Sequence, residues 1–193
     1  MTVVNKTKYL EFKCAKSPTN SDWHYVKRTN DKEGHDSAVV ITTIVKKPTG
    51  YNFLFITTDR PPLKAENKAL FCLESPAGLI ADEDENEQLL DCVKKELLQE
   101  TGYKPDKIFV ELKNSSTSAG LTSETITYVT AVIENDVIHE KPLDDGGIIK
   151  DRFFIPVSKI YSFFNMVDTS KMSIASSTIC GVFYALVRVK LLT

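Results

Sequence analysis

Residues 74–103 read ESPAGLIADEDENEQLLDCVKKELLQETGY. A tight Pro76-Ala77-Gly78 turn follows an apolar run, an acidic loop comes next, and the segment closes on a pattern of helical period. Leu90, Val93, Leu97 and Leu98 fall on one stripe of a helix expected from about Glu87 to the stop at Thr101-Gly102. Glu96 and Glu100 stand at i, i+4, so both carboxylates project from one face about one turn apart. Like charges at that spacing destabilise a bare helix, and two compensations are open. Lys94 and Lys95 can offset the charge on a solvated face, or a divalent cation can take the carboxylates together with substrate phosphates. The turn upstream favours the second reading, because a bend after a strand can aim a backbone carbonyl at the same ion.

Outward from this stretch the chain changes period. Upstream, AVVITTIV (38–45), YNFLFITT (51–58) and ALFCLES (69–75) are β-branched and aromatic runs with Gly/Pro punctuation, which predicts strands. Downstream, KIFVELK (107–113), TITYVTAVIE (125–134) and DRFFIPV (151–157) predict three more, and residues 173–192 a second helix. At the start, KYLEFKCA and WHYVKRT flank a turn-rich SPTNSD and read as a hairpin. Strands on both sides of a helix without strict βαβ alternation predict an α+β or sandwich arrangement rather than a doubly wound sheet.

Composition bounds the function classes. The 193 residues are 42% hydrophobic and 26% charged, enough for one domain with a real core. The net charge of −2 comes without any basic block that could neutralise a run of phosphates, so a long nucleic acid is a poor partner. Cys14, Cys72, Cys92 and Cys180 are widely spaced with no CxxC pair, which argues against zinc and for a reducing compartment. No signal peptide and no membrane span are apparent, and a cytoplasmic location is expected. His24, His35 and His139 show no metal spacing.

The turn, loop and helix together resemble a Nudix box, with Glu87 eight positions before Lys95 and Lys95-Glu96-Leu97-Leu98-Gln99-Glu100-Thr101-Gly102-Tyr103 in its register. Three positions depart from the usual pattern. The loop between Gly78 and Glu87 holds eight residues instead of five, Lys95 replaces an arginine, and Gln99 replaces a glutamate. WHYVKRT, TTDRPP, ESPAGLI and ELLQETGY occur in the order seen in the ADP-ribose and ADP-sugar pyrophosphatase branch, over most of residues 8–192.

The resemblance implies a Nudix fold, an α/β/α sandwich with a mixed sheet (37–193), preceded by a small N-terminal β-element (1–36) that helps form a homodimer and contacts adenine. It implies hydrolysis of ADP-ribose or a related nucleoside diphosphate-sugar to AMP and a sugar phosphate, with Mg²⁺ or Mn²⁺ held by Glu96, Glu100 and the Ala77 carbonyl. It places Trp23 and Tyr9 against the base, Arg28 and Arg60 on phosphate or ribose, and Glu74 on the nucleoside side. Taken singly, each has a plainer reading: a packing anchor for Trp23, a strand residue for Tyr9, surface charges for the others.

The resemblance also implies a late-loop glutamate as general base or additional metal ligand. Here that position falls near Ile148, leaving Asp144, Asp145 and Asp151 as the nearest acids and Glu124 as another candidate. The alternative reading is therefore a Nudix-fold protein that binds an ADP-ribose-like ligand and cleaves it poorly.

Overall fold

The computed structural model describes residues 1–29, 31, 36–82, 84–143 and 145–192. Its N-terminal sheet is antiparallel and three-stranded: β1 (Thr2–Lys6), β2 (Leu10–Lys16) and β3 (Asp22–Arg28), in that order. The expected hairpin is β2–β3, and β1 adds a strand the sequence pattern did not announce. His35 lies outside the described residues.

The larger sheet has eight strands. β4 (Ala38–Lys47) and β5 (Gly50–Thr58) form a central hairpin, β6 (Phe71–Glu74) and β7 (Ala77–Leu79) follow, then β8 (Lys107–Ser116), β9 (Thr125–Ile133), β10 (Ile149–Pro156) and β11 (Met172–Ile174). The path runs β11-β6-β5-β4-β9-β8, with β10 beside β5 and β7 beside β4. Pairing is mixed: β4–β9 and β6–β11 are parallel and the other pairs antiparallel.

Both faces of this sheet are covered. Helix α2 (Leu89–Thr101) packs on one face, where Val93 and Leu97 meet Val39, Ile41, Leu54 and Val129. Helices α3 (Ile160–Met166) and α4 (Ser176–Leu192) cover the other, where Ile160, Val182 and Ala185 meet Ile44, Phe53, Phe55 and Val132. That is why β4 and β5 are near-continuous apolar runs rather than alternating ones. Phe53, Leu54, Phe55 and Ile56 are all buried, and each contributes about 1.5–3 kcal/mol relative to exposure. The architecture is the α/β/α sandwich with a mixed sheet.

Several local expectations are corrected. Leu90 is exposed, and the buried stripe of α2 is Val93, Leu97 and Thr101 with Cys92, continued one turn earlier by the partly buried Leu89. The last helix starts at Ser176 rather than 173, because Met172–Ile174 pairs in parallel with Phe71–Leu73. A short α1 (Pro61–Ala65) begins at Pro61, whose fixed φ and missing N–H suit a first turn.

The detail that positions the site is a fork. The edge of β4 opposite β9 pairs with β5 through residues 43–47 and with β7 through 38–40. The edge of β5 opposite β10 pairs with β4 through 50–54 and with β6 through 56–58. The two central strands therefore part beyond Thr43 and Leu54, and Ser75-Pro76 crosses the gap from β6 to β7.

Candidate active site

The crossing is held on both sides of the sheet. The Pro76 carbonyl accepts the Ile41 N–H at 2.8 Å, and the Ser75 N–H is donated to Thr178 Oγ1 on α4 at 2.8 Å. This fixes the Ala77-Gly78 backbone in front of α2. The Ala77 N–H donates to Glu100 Oε2 at 3.0 Å, so one of the two helix carboxylates is oriented by the turn itself. The other, Glu96, lies against the bare Cα of Gly78, where a Cβ would overlap its Cγ and Cδ. Glycine is required there for close approach.

Around Glu96 the charge is dense. Lys95 Nζ lies 2.8 Å from Glu87 Oε1, 3.6 Å from Glu96 Oε1 and 3.7 Å from Asp82 Oδ1. Glu87 Oε2 also accepts the Ala81 N–H at 3.2 Å. Burial pushes the Glu96 carboxyl up to about 7, with Lys95 opposing and Asp82 and Glu87 adding to the rise. Burial disfavours the charge on Lys95, yet the carboxylates Glu87, Glu96 and Asp82 hold its pKa above the usual lysine value.

Glu96 and Glu100 line a cleft of about 760 Å³ shared with Ala77, Gly78, Arg28 and Arg60. Arg60 pairs with Glu74 through Nε at 3.0 Å and a terminal nitrogen at 2.6 Å, and Thr58 Oγ1 donates to the same carboxylate at 2.9 Å. Those hydrogen bonds raise the Arg60 pKa. Arg28 Nε donates to Glu124 Oε1 at 2.7 Å, which brings the end of β3 to the cleft rim.

The remaining candidates are scattered. Trp23 is half exposed and donates Nε1–H to the Gly120 carbonyl at 3.1 Å, and Tyr9 is exposed beneath Lys8. Neither lines the cleft. On the late loop, Leu143 and Ile148 line it. Asp151 is exposed on β10 opposite Thr57, Asp144 lies outside the described residues, and for Asp145 the structure describes only its backbone, in a 3₁₀ turn at Asp145–Gly147.

The residues not foreseen are Asp82, Thr58 and a wall of hydroxyls at Ser115, Ser116, Thr117, Ser176 and Ser177. The run NSSTS at 114–118 was visible in the sequence but reads only as a polar turn.

No family model matches the chain, and neither does any curated protein. Solved structures do. An ADP compounds hydrolase superposes with a TM-score of 0.63 at 14% identity, covering 99% of this chain and 92% of that one. The NUDIX domain of Shewanella oneidensis NrtR, solved in complex with ADP ribose, superposes with a TM-score of 0.56 at 18% identity, covering 84% of this chain and 91% of that one. The fold is the Nudix fold.

In this Nudix fold the box residues follow directly from the fork: the turn stands on β7, the carboxylates on α2, and the acidic loop between them. Lys95 meets Glu87, Glu96 and Asp82 as a point charge, where an arginine would present a planar fork. Gln99 is exposed at the cleft, and its carbonyl accepts the Leu143 N–H at 2.7 Å.

The donor set fits a hard divalent cation. Glu96, Glu100 and the peptide carbonyls of the turn offer only oxygen, as Mg²⁺ prefers. Among the described residues no three His, Cys, Asp or Glu side chains form a ready cage. An ion held here would keep water or substrate phosphate in its shell, which is how Mg²⁺ is usually bound. Among the described residues no helix is long and apolar enough to cross a membrane.

Proposed function

We propose that the chain hydrolyses the diphosphate of ADP-ribose or a related nucleoside diphosphate-sugar, giving AMP and a sugar phosphate. The observation that carries this reading is the convergence of Glu96 and Glu100 on the Ala77-Gly78 turn inside one cleft that also holds two arginines. Glu96, Glu100 and the Ala77 carbonyl would hold Mg²⁺ or Mn²⁺, which when bound neutralises the diphosphate and lowers the pKa of water. Arg28 and Arg60 suit phosphate oxygens through charge-assisted hydrogen bonds, once each turns from its glutamate partner. The Ala77 N–H keeps one Glu100 oxygen directed at the turn, and Glu87 keeps Lys95 beside Glu96. Glu124 lines the cleft and is the described acid we assign to accept a proton from water, after release from Arg28.

The N-terminal sheet supports a homodimer. It exposes Leu10 and Phe12 on one face and Val3 and Trp23 on the other, apolar surface that a second copy of the chain would cover. In such a dimer Trp23 and Tyr9 would meet the adenine outside the single-chain cleft. The free thiols fit a cytoplasmic location.

A second reading has an observation of its own. Ile148 lines the cleft near the position where the resemblance implies a late acid, which favours a protein that binds an ADP-ribose-like ligand without efficient cleavage. Calorimetry with ADP-ribose and chromatography of the products, on one preparation in Mg²⁺, separates the two. Binding with AMP and ribose 5-phosphate formed supports the hydrolase; saturable binding with intact ligand supports the binding protein.

A further inference from the structure

The C-terminal end of α2 presents carbonyls that the helix cannot satisfy by itself. Its last turn carries no basic residue, so favourable charge for the negative end of the dipole has to come from elsewhere. Arg152 on β10 supplies it. Its Nε donates to the Glu100 carbonyl, and a terminal nitrogen donates to the Leu143 carbonyl. Strand alternation brings it there: Phe154, two residues on, packs edge-on against Tyr103 on the α2 side, while Phe153 and Ile155 face the α3/α4 core.

The loop before β10 completes the accounting. Leu143 N–H goes to the Gln99 carbonyl at 2.7 Å, His139 N–H to the Gly102 carbonyl at 2.8 Å, and Gly102 N–H to the Leu98 carbonyl at 2.8 Å. Gly102 has φ +79°, and a Cβ there would run into the Glu140 carbonyl, so the loop lies directly on the helix end. Glu100 is thereby held by its carbonyl to Arg152 and by its carboxylate to Ala77.

We propose that Arg152 is a positioning residue for the diphosphatase reaction, and this rests on the function proposed above. Its guanidinium ties the last turn of α2 to the loop at Leu143, and so fixes the Glu100 carboxylate against the turn while holding the opposite wall of the cleft in place. A lysine offers a point charge and cannot span two carbonyls with a planar fork.

The test compares the full chain with Arg152→Met and Arg152→Lys, measuring kcat and KM for AMP release from ADP-ribose, and Mn²⁺ affinity by calorimetry. For Arg152→Met the expected result is a fall of about 10–100-fold in kcat with KM within about threefold, and Mn²⁺ binding about tenfold weaker, Arg152→Lys lying between. Unchanged kcat and Mn²⁺ affinity, with only a lower melting temperature, overturns the assignment and leaves Arg152 a structural residue. If Arg152→Met does not fold, Arg152→Lys is read by the same two measurements. If the wild type binds Mn²⁺ but leaves ADP-ribose intact, the proposed reaction alone fails, and the Mn²⁺ affinities still decide the clamp. A wild type that neither cleaves ADP-ribose nor binds Mn²⁺ overturns both.

Discussion

On the cleft wall made by β7 and α2, each functional side chain has a close partner within residues 77–100: Glu100 with Ala77, Glu96 with Gly78, Lys95 with Glu87. On the opposite wall the late loop presents Leu143 and Ile148, and Glu124, which also lines the cleft, comes from another loop and is tied to Arg28. The difference teaches where the chemistry is encoded. A site built from one turn and the helix after it can be read as a motif, whereas a wall assembled from distant loops depends on tertiary contacts.

The contrast is most easily broken on the α2 side. Glu100→Gln keeps the shape and removes the charge that accepts from Ala77 and that the proposed reaction assigns to the metal, so AMP release should fall about 100-fold or more, the several kcal/mol a metal-held charge is worth. Steady-state rates at saturating Mg²⁺ check this, and near-normal turnover would remove Glu100 from the site. Gly78→Ala should cost about 100-fold as well, because the new Cβ displaces the Glu96 carboxylate by about an ångström. An enzyme of ordinary rate after that change would show that the Glu96 position tolerates movement.

The other side of the comparison is sharpened by Trp23. Loss of base stacking in Trp23→Ala should raise KM by about fivefold or more with kcat little altered, as a contribution of about 1–3 kcal/mol requires. A KM equal to wild type would return Trp23 to a packing role at Gly120.

The smallest expected effect is on stability. The folded-state Glu96 carboxyl sits at about 7 against an ordinary 4.5, so the native chain binds more protons than the unfolded one between those values. Stability therefore falls as pH rises from about 4.5 to about 7 and stays low above it, by about 1–2 kcal/mol after allowance for solvent screening. Metal-free Glu96→Gln should melt about 3–6 °C above wild type at pH 8 and lose that advantage near pH 4. Equal melting temperatures at pH 8 would mean that Glu96 carries its charge without cost.

Much of the fold was legible in the sequence because β4, β5 and β9 are long apolar runs and α2 has a clear period. What escaped were short elements, α1, β7 and α3 among them, and two strands stabilised from outside: β11, three residues long and fixed by β6, and β1, fixed by β2. Leu90 shows the same limit within a helix, since a stripe drawn from helical period was rotated by the packing of Leu89. At the site, the i, i+4 spacing put Glu96 and Glu100 on one face of the helix, and the resemblance named Ala77 beside them. Asp82 and Arg152 did not, because each reaches its place through a loop or strand whose position only the folded chain sets.

The central claim is that the Glu96–Glu100 face of α2, opposed to the Ala77-Gly78 turn, cleaves a diphosphate. The most direct measurement is the rate of AMP formation from ADP-ribose as Mg²⁺ is titrated against a chelated control, for the wild type and Glu96→Gln side by side. The proposed function predicts chelator-sensitive AMP formation that Glu96→Gln removes. AMP formation that persists in Glu96→Gln, or its absence from a wild type that binds both Mg²⁺ and ADP-ribose, would contradict it.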